Sequence, residues 1–354
     1  MNEQESLIKN ETETPSIESQ NKGEIKEPKK ARKFRFHALS YALVLVPSIT
    51  LGVFIGVKAK EILSAGQEVD AGSTNYQSYY PDYDEVYETY QKAQKKGIAN
   101  YSEALSPTQM AEISICLAQN EEHLYSQGVG YADADAVVSV VHQDIRSTTI
   151  RNGNLFFEES ISTGLVNVAD RMYQTNDGDN ISVTMNYSSK KNNKGAYSFD
   201  FTDCKKETFD KEGYIAHMGR LLSTTSSYIV SDKTVLVGEK KDAMYGETKA
   251  TKTDNGYTVN IELDPVKGVF AYAVQMKTIS ELSCKPDFDY CHLVFELDEK
   301  LNLLSLTSFE KYTVTKASVP FPSSTTSEIR VVYERGGDYK IPELNEPCSY
   351  RGEM

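Results

Sequence analysis

Apolar residues along this chain follow three patterns in turn, and each predicts a different element. The first is an uninterrupted run: Phe36 to Val57 contains no Asp, Glu, Lys or Arg. At 1.5 Å per residue such a segment reaches about 33 Å, which is enough to cross a bilayer core as one helix. The second pattern is helical. Tyr83, Tyr87 and Tyr90 stand at i, i+4, i+7, and Ser106-Pro107 precedes Met110, Ile113, Leu117 and Leu124, an N-cap with proline in the first turn and a core-facing stripe. Beyond Gly130 the period falls to two. Ile181, Val183, Met185 and Tyr187 alternate with Ser182, Thr184, Asn186 and Ser188, and Tyr257, Val259, Ile261 and Leu263 alternate with Thr258, Asn260, Glu262 and Asp264. Alternation of this kind predicts half-buried antiparallel strands.

Turn chemistry joins these strands. Asn152-Gly153, Asp177-Gly178 and Asn255-Gly256 supply the positive φ angles of tight turns, so adjacent strands are predicted to pair as hairpins. One helix interrupts them: Asp264-Pro265 reads as an N-cap with proline at the first position, and Val266, Val269, Phe270, Ala273 and Val274 make its apolar face. Strands resume at Cys291 to Leu297, Leu303 to Val314 and Glu328 to Tyr333. The expected fold is α+β, a large curved antiparallel sheet, or half-barrel, with a few helices on one face and a transmembrane helix before it. The strand faces centred on Val259, Ile261, Leu263, Leu293, Phe295, Leu304 and Leu306 should form one surface that lines a core or a ligand cavity. On the same alternation as Leu304 and Leu306 lie Ser308 and Glu310, followed by Tyr312 and Val314. A twist or bulge turning the Glu310 carboxylate to solvent is the expected resolution. The alternative places Glu310 in a cavity, where it would fix a polar head group.

Charge orients the apolar run. Lys26, Lys29, Lys30, Arg32, Lys33 and Arg35 precede it, while Lys58 and Lys60 follow, so the N-terminus is predicted inside and the remainder outside the cell membrane. A cleaved signal peptide is the rival reading, weakened by the length of the run and by Lys58, Lys60 and Glu61 standing before Leu63-Ser64-Ala65. Within the span, Ser48, Gly52 and Gly56 recur every four residues, a small-residue face on which a homodimer would pack. The expected organisation is a disordered cytoplasmic tail over 1–35 with its basic juxtamembrane cluster, the span over 36–57, and a Tyr-rich stalk over 58–101. An extracytoplasmic domain over 102–345 and a short tail over 346–354 follow. Seven tyrosines between Tyr76 and Tyr101 read either as a short helix capping the domain or as an aromatic platform.

The whole chain carries 38 Lys+Arg against 51 Asp+Glu, a net charge of −13. That charge argues against nucleic acid as a partner, since a phosphate backbone requires a basic footprint. Nucleophile-elbow, zincin, phosphate-loop and Cys-x-x-Cys signatures are absent from the sequence. No enzyme, cofactor or metal is therefore expected. Ser188-Ser189-Lys190-Lys191 fits Ser-x-x-Lys by chance, Asp177-Gly178-Asp179 is a turn rather than a calcium loop, and His123, His142, His217 and His292 lack partners at metal-ligand spacing. Five cysteines, Cys116, Cys204, Cys284, Cys291 and Cys348, lie on the predicted outer side. Cys284 and Cys291 flank Pro286 closely enough to be joined, with Cys204 and Cys348 as a further candidate pair; five reduced thiols is the alternative.

The order of elements resembles the half-barrel superfamily of LolA-like lipoprotein carriers and LppX-type glycolipid-handling lipoproteins. The stretches that carry it are the hairpin from Ile150 to Phe157, the segment Asn255 to Asp264 with its helix, and Phe295 to Asp298 leading into Leu303 to Val314. The resemblance implies a concave sheet, partly covered by helices, that holds lipid acyl chains. Gly66 stands where a lipoprotein of this type would carry its anchoring Cys. Two functions follow: a membrane-tethered binding module for an apolar or amphipathic envelope ligand, lipid or lipoprotein, or an interaction or signalling ectodomain whose core is filled.

Overall fold

The computed structural model describes residues 76–136, 139–164, 168–177, 180–186, 188–191, 197–200, 205–210, 228–237, 247–279, 282–315, 322–343 and 349–350. The chain divides into two units, residues 1–37 and 38–354, and every described residue belongs to the second. The predicted span over 36–57, with Ser48, Gly52 and Gly56, lies outside the described residues. Among those described, no helix is long and apolar enough to cross a membrane.

Helices come first. A 3-10 turn at Tyr76–Tyr79 leads into α1 (Tyr83–Lys95), a single turn α2 (Tyr101–Ala104) and α3 (Pro107–Gln119). Asp82 caps α1 by accepting from the backbone of Asp84 and Glu85, and Ser106 and Gln109 close a reciprocal capping box on α3. Such caps satisfy amides that the helix itself leaves orphaned. Helix α1 buries Val86, Tyr90 and Ala93 in the core, so the folded domain already includes residues assigned by sequence to a stalk. Asn120 caps the end of α3, and Leu124 belongs to the first strand rather than to the helix stripe.

Strands follow as β1 (His123–Ala136), β2 (Ser139–Asn152), β3 (Leu155–Gly164), β4 (Val168–Asp177), β5 (Asn180–Asn186), β6 (Ser188–Lys191), β7 (Tyr197–Asp200), β8 (Lys205–Asp210), β9 (Lys249–Thr253) and β10 (Gly256–Leu263). Helix α4 (Phe270–Ile279), β11 (Asp287–Leu297), β12 (Leu303–Val314), β13 (Ser323–Arg335) and β14 (Ser349–Tyr350) complete the order. Twelve of these strands form one open sheet, ordered β14-β8-β5-β4-β3-β2-β1-β13-β12-β11-β10-β9, and β6 pairs with β7 alone. Its named pairs are antiparallel except the two-residue β14–β8 pair at one edge. Hairpins turn at Asn152-Gly153, between Asp177 and Asn180, and before Gly256. Gly256 adopts φ +148°, and a Cβ placed there would sit 2.0 Å from the Leu297 carbonyl oxygen, so only glycine allows β10 this close to the turn after β11.

Helices α1 and α3 pack together, and α3 lies against β9, β10 and β12. The core between them is built by strand alternation: Val259, Ile261 and Leu263 on β10, Leu293 and Phe295 on β11, and Leu306 on β12 are all fully buried. Each such side chain contributes roughly 1.5–3 kcal/mol by leaving water. Asp264 accepts from the amides of Val266 and Lys267 as an N-cap would, but the α-helix begins only at Phe270, and Val266 is left exposed.

Candidate functional site

The sequence-derived surface residues converge on one sheet face, with one exception. In the β11–β12 ladder Glu296 pairs with Ser305 and Leu297 with Leu303, which leaves Leu304 as an extra, unpaired residue. This bulge ejects Leu304, 41% exposed, and returns Leu303 to the core face beside Leu306. Leu304 is therefore no part of the surface assigned to it.

Because the bulge falls at Leu304 and not further along, Glu310 stays on the core face, and its carboxyl is fully buried rather than turned to solvent. The Tyr228 hydroxyl donates to one carboxyl oxygen and the Ser327 hydroxyl, at 3.1 Å, to the other. Cys291 stands directly opposite on β11. Burial pushes the Glu310 carboxyl up to about 7, and the bonds from Tyr228 and Ser327 oppose that rise. Burial, with Glu310 adding to it, also raises the Cys291 thiol and the Tyr228 and Tyr272 phenols, so all three are protonated at neutral pH. A protonated, enclosed thiol is not a nucleophile. Around the network Tyr228 meets Tyr272 edge-on at 5.9 Å, and Tyr272, Phe288 and Tyr312 follow in a chain of ring contacts. Cys284 is exposed while Cys291 is buried in the sheet, and both are free, so the bridge expected between them is not formed. The strand commits Cys291 to the interior, away from the loop that carries Cys284. Cys116 is also free and buried, and Cys204 and Cys348 lie outside the described residues.

The same face continues across β13 and β1 into β2, β3 and β4, where its character changes. Registers place Ala132, Gln143 and Gly164 in one row and Gly128, Ser147 and Ser160 in another. Ser162 opposite Ile145, and Gln174 opposite Phe156, continue the surface. Gly128, Ala132, Ser147, Ser160 and Ser162 are buried, and the floor they make is of small residues. Gln143 is fully buried, and among the described residues neither its amide nitrogen nor its amide oxygen has a hydrogen-bond partner. An amide closed off from water in this way costs about 1–3 kcal/mol, which a structure keeps only for a reason. At the near border Arg151 donates to the carbonyls of Ala118, Gln119 and Glu121, capping the end of α3 from β2.

On the opposite face His292 Nδ1 lies 2.9 Å from Glu262 Oε2 and its Nε2 lies 3.4 Å from Asn260 Oδ1. His142 is held between Asp133 and Asp144 in the open, and His217 lies outside the described residues. Among the described residues no three His, Cys, Asp or Glu side chains are grouped to hold a metal ion. Sequence reasoning missed Tyr228, which comes from a segment without periodicity, and Gln143, which a strand pattern treats as a solvent position.

No family model matches this sequence, and no curated protein matches it. Among solved structures, the chain is similar to a DUF1329 family protein from Desulfovibrio piger (8% identity, TM-score 0.22, covering 64% of this chain and 90% of that one). It is also similar to a putative outer membrane lipoprotein-sorting protein domain from Vibrio parahaemolyticus (10% identity, TM-score 0.20, 60% and 87%). A third is a porin-like protein from Bacteroides uniformis (8% identity, TM-score 0.18, 61% and 98%). At such low TM-scores the likenesses carry no argument about what this chain binds, and its own geometry has to supply one.

Proposed function

We propose that this protein is a membrane-anchored, extracytoplasmic binding module that holds an amphipathic envelope ligand, a lipid or a lipoprotein, without transforming it. The observation that carries this reading is the β1–β4 part of the sheet face. There the floor is made of the small residues Gly128, Ala132, Ser147, Ser160 and Ser162, and Gln143 carries a donor and an acceptor with no partner among the described residues. Apolar Ile145, Phe156 and Met172 border the floor, a mixture suited to a ligand with both an apolar body and polar groups. Anchoring by residues 36–57, with the domain outside, is part of the proposal and rests on span length and flanking charge.

Native mass spectrometry of the full chain purified in mild detergent tests the reading. A bound lipid released on activation is expected, and its loss is expected in Ser160→Leu, which fills the floor. A folded protein that carries no lipid, and takes none from vesicles, would overturn it. Protease shaving of intact cells should release the domain; a protected full-length chain, or a soluble form beginning near Gly66, would refute the orientation.

A second reading has its own support. Under the helices the core is filled by Tyr228, Tyr272, Phe288 and Tyr312 in mutual ring contact, as an interaction ectodomain without a ligand cavity requires. The same mass spectra decide between the two.

A further inference from the structure

Apart from the sheet face, helices α1 and α3 and the turn at Ser231 to Lys233 enclose a cleft of about 340 Å³, a size typical of small-molecule sites. Glu112 projects from α3, where its neighbours Met110 and Ile113 are core residues, and it is only 8% exposed. Among the described residues no hydrogen bond or ion pair reaches its carboxyl. The charged groups that share the cleft come from each of its walls. Glu85 on α1 and Asp232 in the turn are both acids, and Asp82 is occupied in capping α1. Lys233, also in the turn, turns its ammonium to the Ser78 carbonyl oxygen. Tyr80 and Val86 add apolar wall.

We propose that this cleft binds an organic cation, an ammonium group on an alkyl stem, with Glu112 as its central counter-ion and Glu85 and Asp232 beside it. An unpaired carboxyl at this depth, facing two like charges, is destabilising until a positive charge arrives. Burial first, then Asp232 and Glu85, push the Glu112 carboxyl up to about 8, so the empty cleft holds a proton on Glu112 at pH 7. An entering ammonium displaces that proton to solvent. The described carboxylates are not grouped to hold a metal ion, and the cleft has room for an alkyl chain behind the charged head.

The ammonium has two sources, a free alkylamine or a lysine side chain on a partner, and calorimetry on the full chain in detergent separates them. The probes are 1,4-diaminobutane and N-acetyl-lysine amide, with N-acetyl-norleucine amide as the uncharged control. Saturable heat is expected from at least one charged probe, with a proton released on binding when buffers of unequal ionisation heat are compared at pH 7. Binding of the diamine alone assigns a free amine, and binding of the lysine probe alone or of both assigns a side chain as sufficient. Glu112→Gln should weaken binding at least about tenfold without lowering the melting temperature at pH 7. Should that variant fail to fold, Asp232→Asn, expected to weaken binding several-fold, takes its place. No saturable heat from either charged probe at millimolar concentration, equal binding of the norleucine control, or undiminished binding by the folded variant would overturn the proposal. The outcome is independent of any lipid on the sheet, because the two sites share no residue.

Discussion

One sheet face in this protein passes through two environments. Over β10–β12, beneath the helices, it presents Val259, Ile261, Leu263, Leu293, Phe295 and Leu306, all fully buried. Over β1–β3 it presents Gly128, Ala132, Gln143, Ser147, Ser160 and Ser162, equally shut off from solvent but small or polar. Both halves alternate with period two, and both pair without a break in register from β5 through β13 to β11 apart from the shifts within the β11–β12 ladder. Alternation thus specifies a strand and which side chains share a face. Side-chain volume and polarity on that face decide whether it is a core. Large apolar chains interdigitate with helices and leave no space, whereas small residues around an amide with no partner among the described residues do not make a core of that kind.

The largest expected effect breaks the first environment. Ile261→Asp places a carboxylate where the side chain has no exposure and no partner, so loss of at least about 4 kcal/mol, amounting to failure to fold, is expected. Thermal and urea melts of the purified variant check this, and an unchanged midpoint would remove β10 from the core.

Next in size is the carboxyl buried in that core. Glu310 has a folded value of about 7 against an ordinary 4.5. Between those values the folded chain keeps a proton that the unfolded chain releases. The contribution of Glu310 to stability is therefore greatest below about pH 4.5, falls as pH rises towards 7, and is level beyond, for a total of about 3 kcal/mol. Glu112, raised to about 8, contributes with the same sign and extends the decline. Urea midpoints of Glu310→Gln measured from pH 5 to 8 should fall less steeply than those of the wild type. Parallel profiles would mean that the carboxyl is not the buried, Tyr228-bonded acid described.

How much of this was legible beforehand follows the same division. The strand from Tyr257 to Leu263, the strand from Leu303 to Val314 and the α3 cap at Ser106 were readable, because each depends on neighbours within one segment. What depended on pairing was not. The bulge at Leu304 exists only in relation to Glu296 and Leu297 on the next strand, so a single strand's alternation puts Leu304 on the wrong face and leaves the side chosen by Glu310 open. Tyr228 reaches Glu310 across 82 positions of sequence, with no periodic pattern around it to announce a role. Glu112 did leave a signal: it is the single charge in Met110 to Leu117, a stretch otherwise fit for a core. The Cys284–Cys291 bridge failed for the same reason as Leu304, since closeness in sequence says nothing about which way a strand turns its side chains.

The smallest expected effect sharpens the contrast between the halves most. Gln143→Leu replaces an amide whose two polar atoms have no partner among the described residues by an apolar chain of similar size. If the β1–β3 face were ordinary core, removing an unsatisfied buried amide would stabilise the fold by about 1 kcal/mol and change nothing else. If the face meets a ligand's polar group, the same substitution leaves the fold as stable or slightly more so, and lipid occupancy in native mass spectra falls. Stability and occupancy therefore move in opposite directions only for a ligand face. A variant that gains stability and keeps its lipid would return Gln143 to the core and transfer the binding surface to the apolar border at Phe156 and Met172, while one that loses stability would show that the amide has a partner after all.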